Sequence, residues 1–288
     1  MRNSQNLIET PNLIGVPNLK QLILQGCTTL SKIHPSLGNL KQLIRLDLFG
    51  CKCLESLPQK INLESLEVFI LSSCSRLKKF PEVVGNMPCL FELYLNETAI
   101  KDLPLSIEHL TGLIKLDLRD CKNLSSLPNA CYSSMSLKIL TLSGCSKLDE
   151  LPENLRNLKG LEELDLSGTA IKLRSTSIKL LKNLKKLSLR GCKGLSVKSP
   201  NKLFSFPLMQ QRRSPDPMAM LVHSILGLQF LTKLDLSHCN LQAIPDAFNC
   251  LSSLIELNLE GNEFTWLPKS IIQLSNLQDL FLCDCLNL

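Results

Sequence analysis

The sequence has few aromatic residues, few charged residues and no long apolar run. Aromatic side chains make up 5% of its 288 residues and charged side chains 20%. The unbroken apolar stretches are too short to span a membrane, and the polar opening Met1-Arg2-Asn3-Ser4-Gln5 leads into no apolar run, so we expect neither a transmembrane segment nor a signal peptide. Leucine is abundant instead, at 65 residues or about 23%, and this much apolar carbon excludes a disordered chain.

The patterns that catalysis or cofactor binding would need are missing. The four histidines are scattered, and none falls where a strand residue would face a binding surface beside a serine or cysteine nucleophile; they are His34, His109, His223 and His238. No Gly-x-x-x-x-Gly-Lys-Ser/Thr run is present to hold a nucleotide phosphate. We therefore expect no enzymatic activity, no catalytic residue and no cofactor.

Cysteine is the other enriched residue, with thirteen copies. An odd count in a long chain argues against a small disulfide-stapled fold. The pairs Cys51/Cys53 and Cys283/Cys285 have zinc-like spacing, but no matching histidine or cysteine pair lies at ligand spacing in a neighbouring repeat. We therefore expect no metal site.

A leucine pattern recurs with a fixed period along the chain. The pattern is Leu-x-x-Leu-x-Leu-x-x-Cys, and its copies start at 19, 43, 66, 90, 113, 137, 161, 184, 231, 254 and 277. The steps are 23 or 24 residues, apart from one double step between Leu184 and Leu231. Such a period is the signature of a leucine-rich repeat solenoid with about eleven recognisable repeats.

The spacing within each repeat predicts an α/β fold. Leu116-Asp117-Leu118 alternates with period two, as in a short strand. Stacked coils then give a curved horseshoe with a parallel concave sheet and an irregular or short-helical convex side. The cysteine after each strand should donate a hydrogen bond to backbone carbonyls of the turn. The Leu-Pro of the convex half, as in Leu103-Pro104, should stop strand pairing there.

The domain prediction is a single leucine-rich repeat domain over residues 1–288. An irregular coil is expected at 198–226, because prolines there forbid regular pairing; they are Pro200, Pro207, Pro215 and Pro217. We expect that the repeat array is truncated at both ends, because no polar capping segment is visible.

Residues flanking the paired leucines should face the concave surface and form a protein-binding face. The candidates are Arg45, Asp47, Phe49, Glu92, Tyr94, Lys115, Asp117, Arg119, Lys186, Arg190, Lys233, Asp235 and Phe281. Among them Phe49, Tyr94 and Phe281 are the expected exposed aromatics, a residue type enriched in binding hot spots.

Positive charge is concentrated in one segment. Residues 172–213 hold twelve basic side chains and no acidic one. The basic-patch candidates are Lys172, Arg174, Lys179, Lys182, Lys185, Lys186, Arg190, Arg212 and Arg213. Three interpretations stay open: a solvated face, a surface for an acidic protein partner, and a nucleic-acid site, which the scarcity of aromatics disfavours.

Four segments carry a resemblance to a known family. They are Thr10-Pro11 through Leu19, Ile33 through Gly38, Leu166 through Lys172, and Arg212 through Pro217. With cysteine in the turn and Leu-Pro on the far side, the chain resembles the repeat domain of intracellular plant TIR–nucleotide-binding–LRR disease-resistance proteins. Leu173-Arg174 departs from the family's Leu-Pro, so that convex turn is expected to be remodelled.

The resemblance implies a cytoplasmic, possibly nucleo-cytoplasmic, module of an immune receptor. It would bind a pathogen effector or a host guardee and, in a full-length receptor, contact its own nucleotide-binding domain; no nucleic acid and no membrane are implied as partners. Two alternatives remain, a generic interaction scaffold and an extracellular receptor ectodomain. The extracellular class favours asparagine in the turn, which occurs here once, at Asn262.

Overall fold

Each coil of the chain adds one short strand to a single parallel sheet. The computed structural model describes residues 2–129, 132, 135–172, 178–192, 225, 227–244 and 246–288. Eleven strands of this part pair in chain order. They are β1 (Gln21–Ile23), β2 (Arg45–Asp47), β4 (Val68–Ile70), β6 (Glu92–Tyr94), β7 (Lys115–Asp117), β8 (Ile139–Thr141), β9 (Glu163–Asp165), β10 (Lys186–Ser188), β11 (Lys233–Asp235), β12 (Glu256–Asn258) and β13 (Asp279–Phe281). The predicted solenoid with a parallel sheet is confirmed.

The strand register stacks the repeated leucines into one core. Every strand of the long sheet starts two residues after the leucine that opens its repeat, as β2 does after Leu43. Central strand residues pair with each other, so that Leu46 lies beside Leu22 and Leu140 beside Leu116. Burying a leucine side chain contributes roughly 1.5–3 kcal/mol. The continuous leucine core is therefore the main source of stability.

The convex side combines 3₁₀ helices with a second small sheet. The 3₁₀ helices are Pro35–Asn39, Leu105–His109, Glu153–Asn157, Ile178–Leu180, Asp246–Cys250 and Lys269–Gln273. Pro104 directly precedes one of them, in agreement with the predicted turn. After Leu57-Pro58 the prediction is wrong, because strand β3 (Lys60–Ile61) follows and pairs with β5 (Glu82–Val83), which begins directly after Pro81. Proline removes only its own N–H, so pairing can resume one or two residues later.

The turn after each strand repeats the same backbone conformation. The third residue beyond the strand has a positive φ in all eleven coils; these residues are Gly26, Gly50, Ser73, Glu97, Asp120, Gly144, Gly168, Gly191, His238, Gly261 and Asp284. Glycine adopts this left-handed conformation without steric cost. The shared turn keeps successive coils in phase.

The residue after this turn is usually a buried cysteine that bonds to the preceding coil. The thiol of Cys145 donates to the carbonyl of Leu118 at 3.2 Å. The same bond is made by Cys51, Cys74, Cys121, Cys192, Cys239 and Cys285. Where Asn262 replaces cysteine, its amide donates to the carbonyl of Leu236 at 2.9 Å. The predicted donor role is confirmed, and burial raises the pKa of Cys145 to about 12, which keeps the thiol protonated at neutral pH.

Candidate functional site

The first and third residues of each strand, and the residue two positions after it, face the concave side. All thirteen concave candidates occupy these positions. They are Arg45, Asp47 and Phe49 around β2, Glu92 and Tyr94 on β6, Lys115, Asp117 and Arg119 around β7, Lys186 and Arg190 around β10, Lys233 and Asp235 on β11, and Phe281 on β13. Their role in binding stays a prediction.

Two of the aspartates are buried beneath arginines. Asp47 accepts from the Arg45 guanidinium at 3.0 Å and from the backbone N–H of Phe49 at 3.2 Å. Asp117 is held in the same way by Arg119, whose Nη2 lies 2.8 Å from Oδ2, and this pairing raises the pKa of Arg119. The expectation that both carboxylates are displayed is wrong, since their exposed fractions are 0% and 1%. The carboxylates turn back to bond to their own strand ends, so only the arginines meet solvent.

The three aromatic candidates differ in exposure. Phe49 is 49% exposed and Phe281 is 43% exposed. Tyr94 is half-buried instead, because its hydroxyl donates to Glu92 at 2.9 Å and the ammonium of Lys115 lies 4.9 Å from its ring centroid. Burial, together with the Glu92 bond, raises the pKa of Tyr94. The hydroxyl of Tyr94 and its ring are therefore already engaged by neighbouring side chains of the sheet.

The concave sheet deepens into a groove over β7 to β12. The groove has a volume of about 430 Å³ and is lined mainly by the outward residues of these strands. Six of the lining residues are among the concave candidates, namely Lys115, Asp117, Arg119, Lys186, Lys233 and Asp235. Six further outward residues line the groove but were not predicted, namely Ile139, Thr141, Glu163, Asp165, Ser188 and Glu256. The alternation that defines the strands could have identified them, because they occupy the same first and third positions.

Charges of opposite sign alternate across the groove. The ammonium of Lys186 lies 2.6 Å from Glu163 of the neighbouring strand. Lys233 pairs in the same way with Glu256, and this bond raises the pKa of Lys233. Such exposed pairs contribute little to stability, so these groups can exchange partners with a ligand. The groove therefore suits the polar and charged surface of a protein.

Comparisons with known proteins place this architecture in a family. Residues 62–150 match a family of leucine-rich repeats described as disease resistance protein RPS4B-like, and residues 227–286 match a general leucine-rich repeat family. The chain is 39% identical over 286 residues to TMV resistance protein N of Nicotiana glutinosa and 38% identical over 288 residues to disease resistance-like protein DSC1 of Arabidopsis thaliana. These alignments cover 98% and 99% of this chain. The chain belongs to the leucine-rich repeat domains of plant disease-resistance proteins.

This repeat domain is shorter than the relatives that it matches. It spans 23% of the length of TMV resistance protein N and 22% of the length of DSC1. Among solved structures, the Drosophila Toll–Spatzle complex shares the fold at a TM-score of 0.69 and 22% identity, over 98% of this chain and 35% of that one. The leucine-rich repeat domain of the type III effector XopL matches at a TM-score of 0.60 and 26% identity, over 68% and 69% of the two chains.

Three lysines in the basic segment of this disease-resistance repeat domain pair with acidic groups of the coil before it. Lys185 lies 2.7 Å from Glu162, and this bond lowers the pKa of Glu162. Lys172 lies 3.3 Å from Asp149. Acidic groups one coil earlier therefore balance the charge of these lysines and of Lys186, and the role of the basic patch stays a prediction. The candidates Arg174, Arg212 and Arg213, and the expected irregular coil 198–226 apart from residue 225, lie outside the described residues.

Two of the histidines have local structural contacts. The Nδ1 of His34 lies 2.8 Å from the hydroxyl of Ser36, and that of His109 lies 3.1 Å from the carbonyl of Val83. Within the described part of the chain, no group of three or more metal-binding side chains comes together. The helices of the described residues also include none with the length and apolar composition of a membrane span.

Proposed function

We propose that this chain is the non-enzymatic recognition module of a cytoplasmic plant immune receptor. Its concave face binds a protein ligand, either a pathogen effector or a host protein that an effector modifies. The observation that carries this proposal is the groove over β7 to β12, whose exposed, exchangeable ion pairs suit a protein surface. The relation to TMV resistance protein N and DSC1 supports the immune setting.

In a full-length receptor the same domain has a second task. We propose that it contacts the receptor's own nucleotide-binding domain and restrains it while no ligand is bound. The chain spans under a quarter of its resistance-protein relatives, which leaves ample length for such a domain. Reading the coding sequence upstream of residue 1 separates this proposal from a generic scaffold, because a receptor carries a P-loop there and a scaffold does not.

The concave face is tested by blocking the groove. Thr141 is the last residue of β8, and its side chain lines the groove. The full-length receptor carrying Thr141→Trp should accumulate normally but lose its defence response to the pathogen in leaf tissue. Leu105→Trp is the matched control, since Leu105 is 65% exposed on the convex side. A normal response of the Thr141→Trp receptor contradicts the proposal.

A further inference from the structure

A second cavity lies away from the concave face, at the edge where the 3₁₀ helices lead into the strands. It has a volume of about 530 Å³ and is formed by three successive coils. Its lining combines three basic side chains with two apolar ones; we call it the edge cleft, and these residues are Arg156, Lys159, Lys182, Leu180 and Phe230. None of the described residues that line it is acidic.

The three cations of the edge cleft differ from their neighbours in having no acidic partner. Lys172 and Lys185 are each paired with a carboxylate of the preceding coil. By contrast, no carboxylate of the described residues lies within ion-pair distance of Arg156, Lys159 or Lys182. Three positive charges that no described carboxylate balances therefore lie together at the cleft. Arg156 and Lys159 lie outside segment 172–213, so only the stacking of the coils brings them together with Lys182.

The apolar part of the cleft is open to solvent. Phe230 is 58% exposed and Leu180 is 37% exposed. Exposed phenylalanine at the centre of a charged rim is the arrangement found at protein-binding surfaces, where the apolar group supplies affinity and the charges supply orientation. The cleft therefore offers an apolar anchor point beside positive charge.

The walls of the cleft are held in place before any ligand arrives. The side-chain amide of Asn183 donates to the carbonyl of Lys159 at 2.7 Å and joins two of the coils. Leu158, Leu181 and Leu231, next to lining residues, are buried in the core. A preformed site costs less ordering entropy on binding, which favours capture of a flexible segment.

We propose that the edge cleft docks an acidic segment of a protein partner, one in which carboxylates flank an apolar side chain. The carboxylates would meet Arg156, Lys159 and Lys182, and the apolar side chain would pack on Phe230 and Leu180. Single-stranded nucleic acid fits less well, because such sites stack successive bases on several aromatic rings along a basic groove, and among the described residues Phe230 is the one aromatic lining this cleft. This surface is separate from the groove and does not depend on the function proposed for it.

The test uses the 288-residue chain and a fluorescein-labelled synthetic peptide in which glutamates flank a Leu-Phe pair. Fluorescence anisotropy should show binding that weakens as salt is added. The triple variant Arg156→Gln/Lys159→Gln/Lys182→Gln should bind about tenfold more weakly. The matched control Lys138→Gln/Lys172→Gln/Lys185→Gln removes the same charge from lysines that are already paired, and its affinity should stay within about twofold.

Two further measurements separate the apolar contribution and the class of ligand. Phe230→Ser should weaken binding of the peptide, and a peptide with serines in place of Leu-Phe should bind the wild-type chain equally weakly. Circular dichroism confirms that each variant is folded. The proposal is overturned if the two triple variants bind alike, if Phe230→Ser has no effect, or if a polythymidine oligonucleotide binds more tightly than the peptide and loses affinity in the cleft variant.

Discussion

The concave face has two parts that share a core but differ in chemistry. Over β1, β2, β4 and β6 five of its twelve outward residues are apolar or aromatic, namely Ile23, Phe49, Val68, Ile70 and Tyr94. Over β8 to β12 they are mostly charged groups and hydroxyls, including Thr141, Glu163, Lys186, Ser188 and Glu256. Both parts rest on the same buried leucines. The repeat thus specifies the backbone, while the outward residues set the surface chemistry independently.

Acidic groups show the difference most clearly. In the first part Asp47 is buried, and it accepts from Gln25 at 2.7 Å as well as from Arg45. In the second part Glu163 remains accessible and pairs with an exposed lysine. The first arrangement stabilises the fold, and the second leaves the carboxylate available to a ligand.

The turn thiols, which occur in both parts, should have the largest effect on stability. Burial raises the pKa of Cys74 and of Cys145 to about 12, from 9.0 for an ordinary thiol. Thiols of the unfolded chain ionise near pH 9.0, while those of the folded chain stay protonated. The stabilisation that comes from the protonated thiols is therefore complete below pH 9.0 and is lost as the pH rises towards 12. Each such thiol should cost about 1 kcal/mol of unfolding free energy by about pH 10. The five turn thiols whose pKa is raised to about 11 or 12 should therefore cost about 5 kcal/mol together.

Urea denaturation at increasing pH measures this loss. Cys145→Ser keeps a donor that does not ionise, so its stability should fall less steeply with pH than that of the wild type. Cys283→Ser is the control, because Cys283 is exposed and its removal should leave the pH dependence unchanged. If stability falls equally steeply with pH in all three proteins, the prediction that the turn thiols are buried and protonated is contradicted. In the native protein at neutral pH, fewer than half of the thirteen thiols should react with a thiol reagent.

Removing the buried carboxylate of the first part should have the next largest effect. Asp47→Ala leaves the N–H of Phe49 and the amide of Gln25 without their acceptor. We expect a loss of about 2–3 kcal/mol of unfolding free energy, since an unsatisfied buried group costs that much. Urea denaturation at neutral pH checks the value. A loss below about 0.5 kcal/mol, as for an exposed ion pair, would remove the distinction between the two parts.

Replacing glycine by alanine in the repeated turn should lower stability equally in both parts. Gly50 and Gly168 have φ values of +70° and +67°, and an added Cβ at either would meet nothing closer than 3.7 Å. Alanine at each should therefore cost about 1 kcal/mol from backbone strain alone. Gly160→Ala is the control, because Gly160 has no positive φ and only one atom at 3.8 Å, and it should be nearly neutral. Thermal unfolding of the three variants measures the difference, and unequal costs at the two turns would show that they are not equivalent.

The smallest effect is expected in the groove. Glu163→Gln removes an exposed pair with Lys186 and should change the unfolding free energy by less than about 0.5 kcal/mol. Because exposed charges are screened, even this difference should shrink at high salt. A loss comparable to that of Asp47→Ala would mean that the groove is built for stability rather than for binding.

Local patterns predicted much of this architecture. The period of leucines placed all eleven strands, and the position of cysteine predicted its donor role, because strand alternation and turn geometry depend on residues close in the chain. The convex strands after Pro58 and Pro81 were missed because their pairing is decided by the neighbouring coil. The burial of Asp47 and of Asp117 was missed for a related reason, since alternation gives the side of the sheet on which a residue lies but not what covers it.

The sequence by itself determined the solenoid, the register of its coils and the set of residues on its concave face. Tertiary structure alone decided which charges are available. Lys185 meets Glu162 only because one coil stacks on the next at a separation of 23 residues. The same stacking gathers Arg156, Lys159 and Lys182 at a cleft that no described acidic residue lines. Electrostatic interactions act over distances in space, so a run of charges along the chain does not reveal the charge of the folded surface.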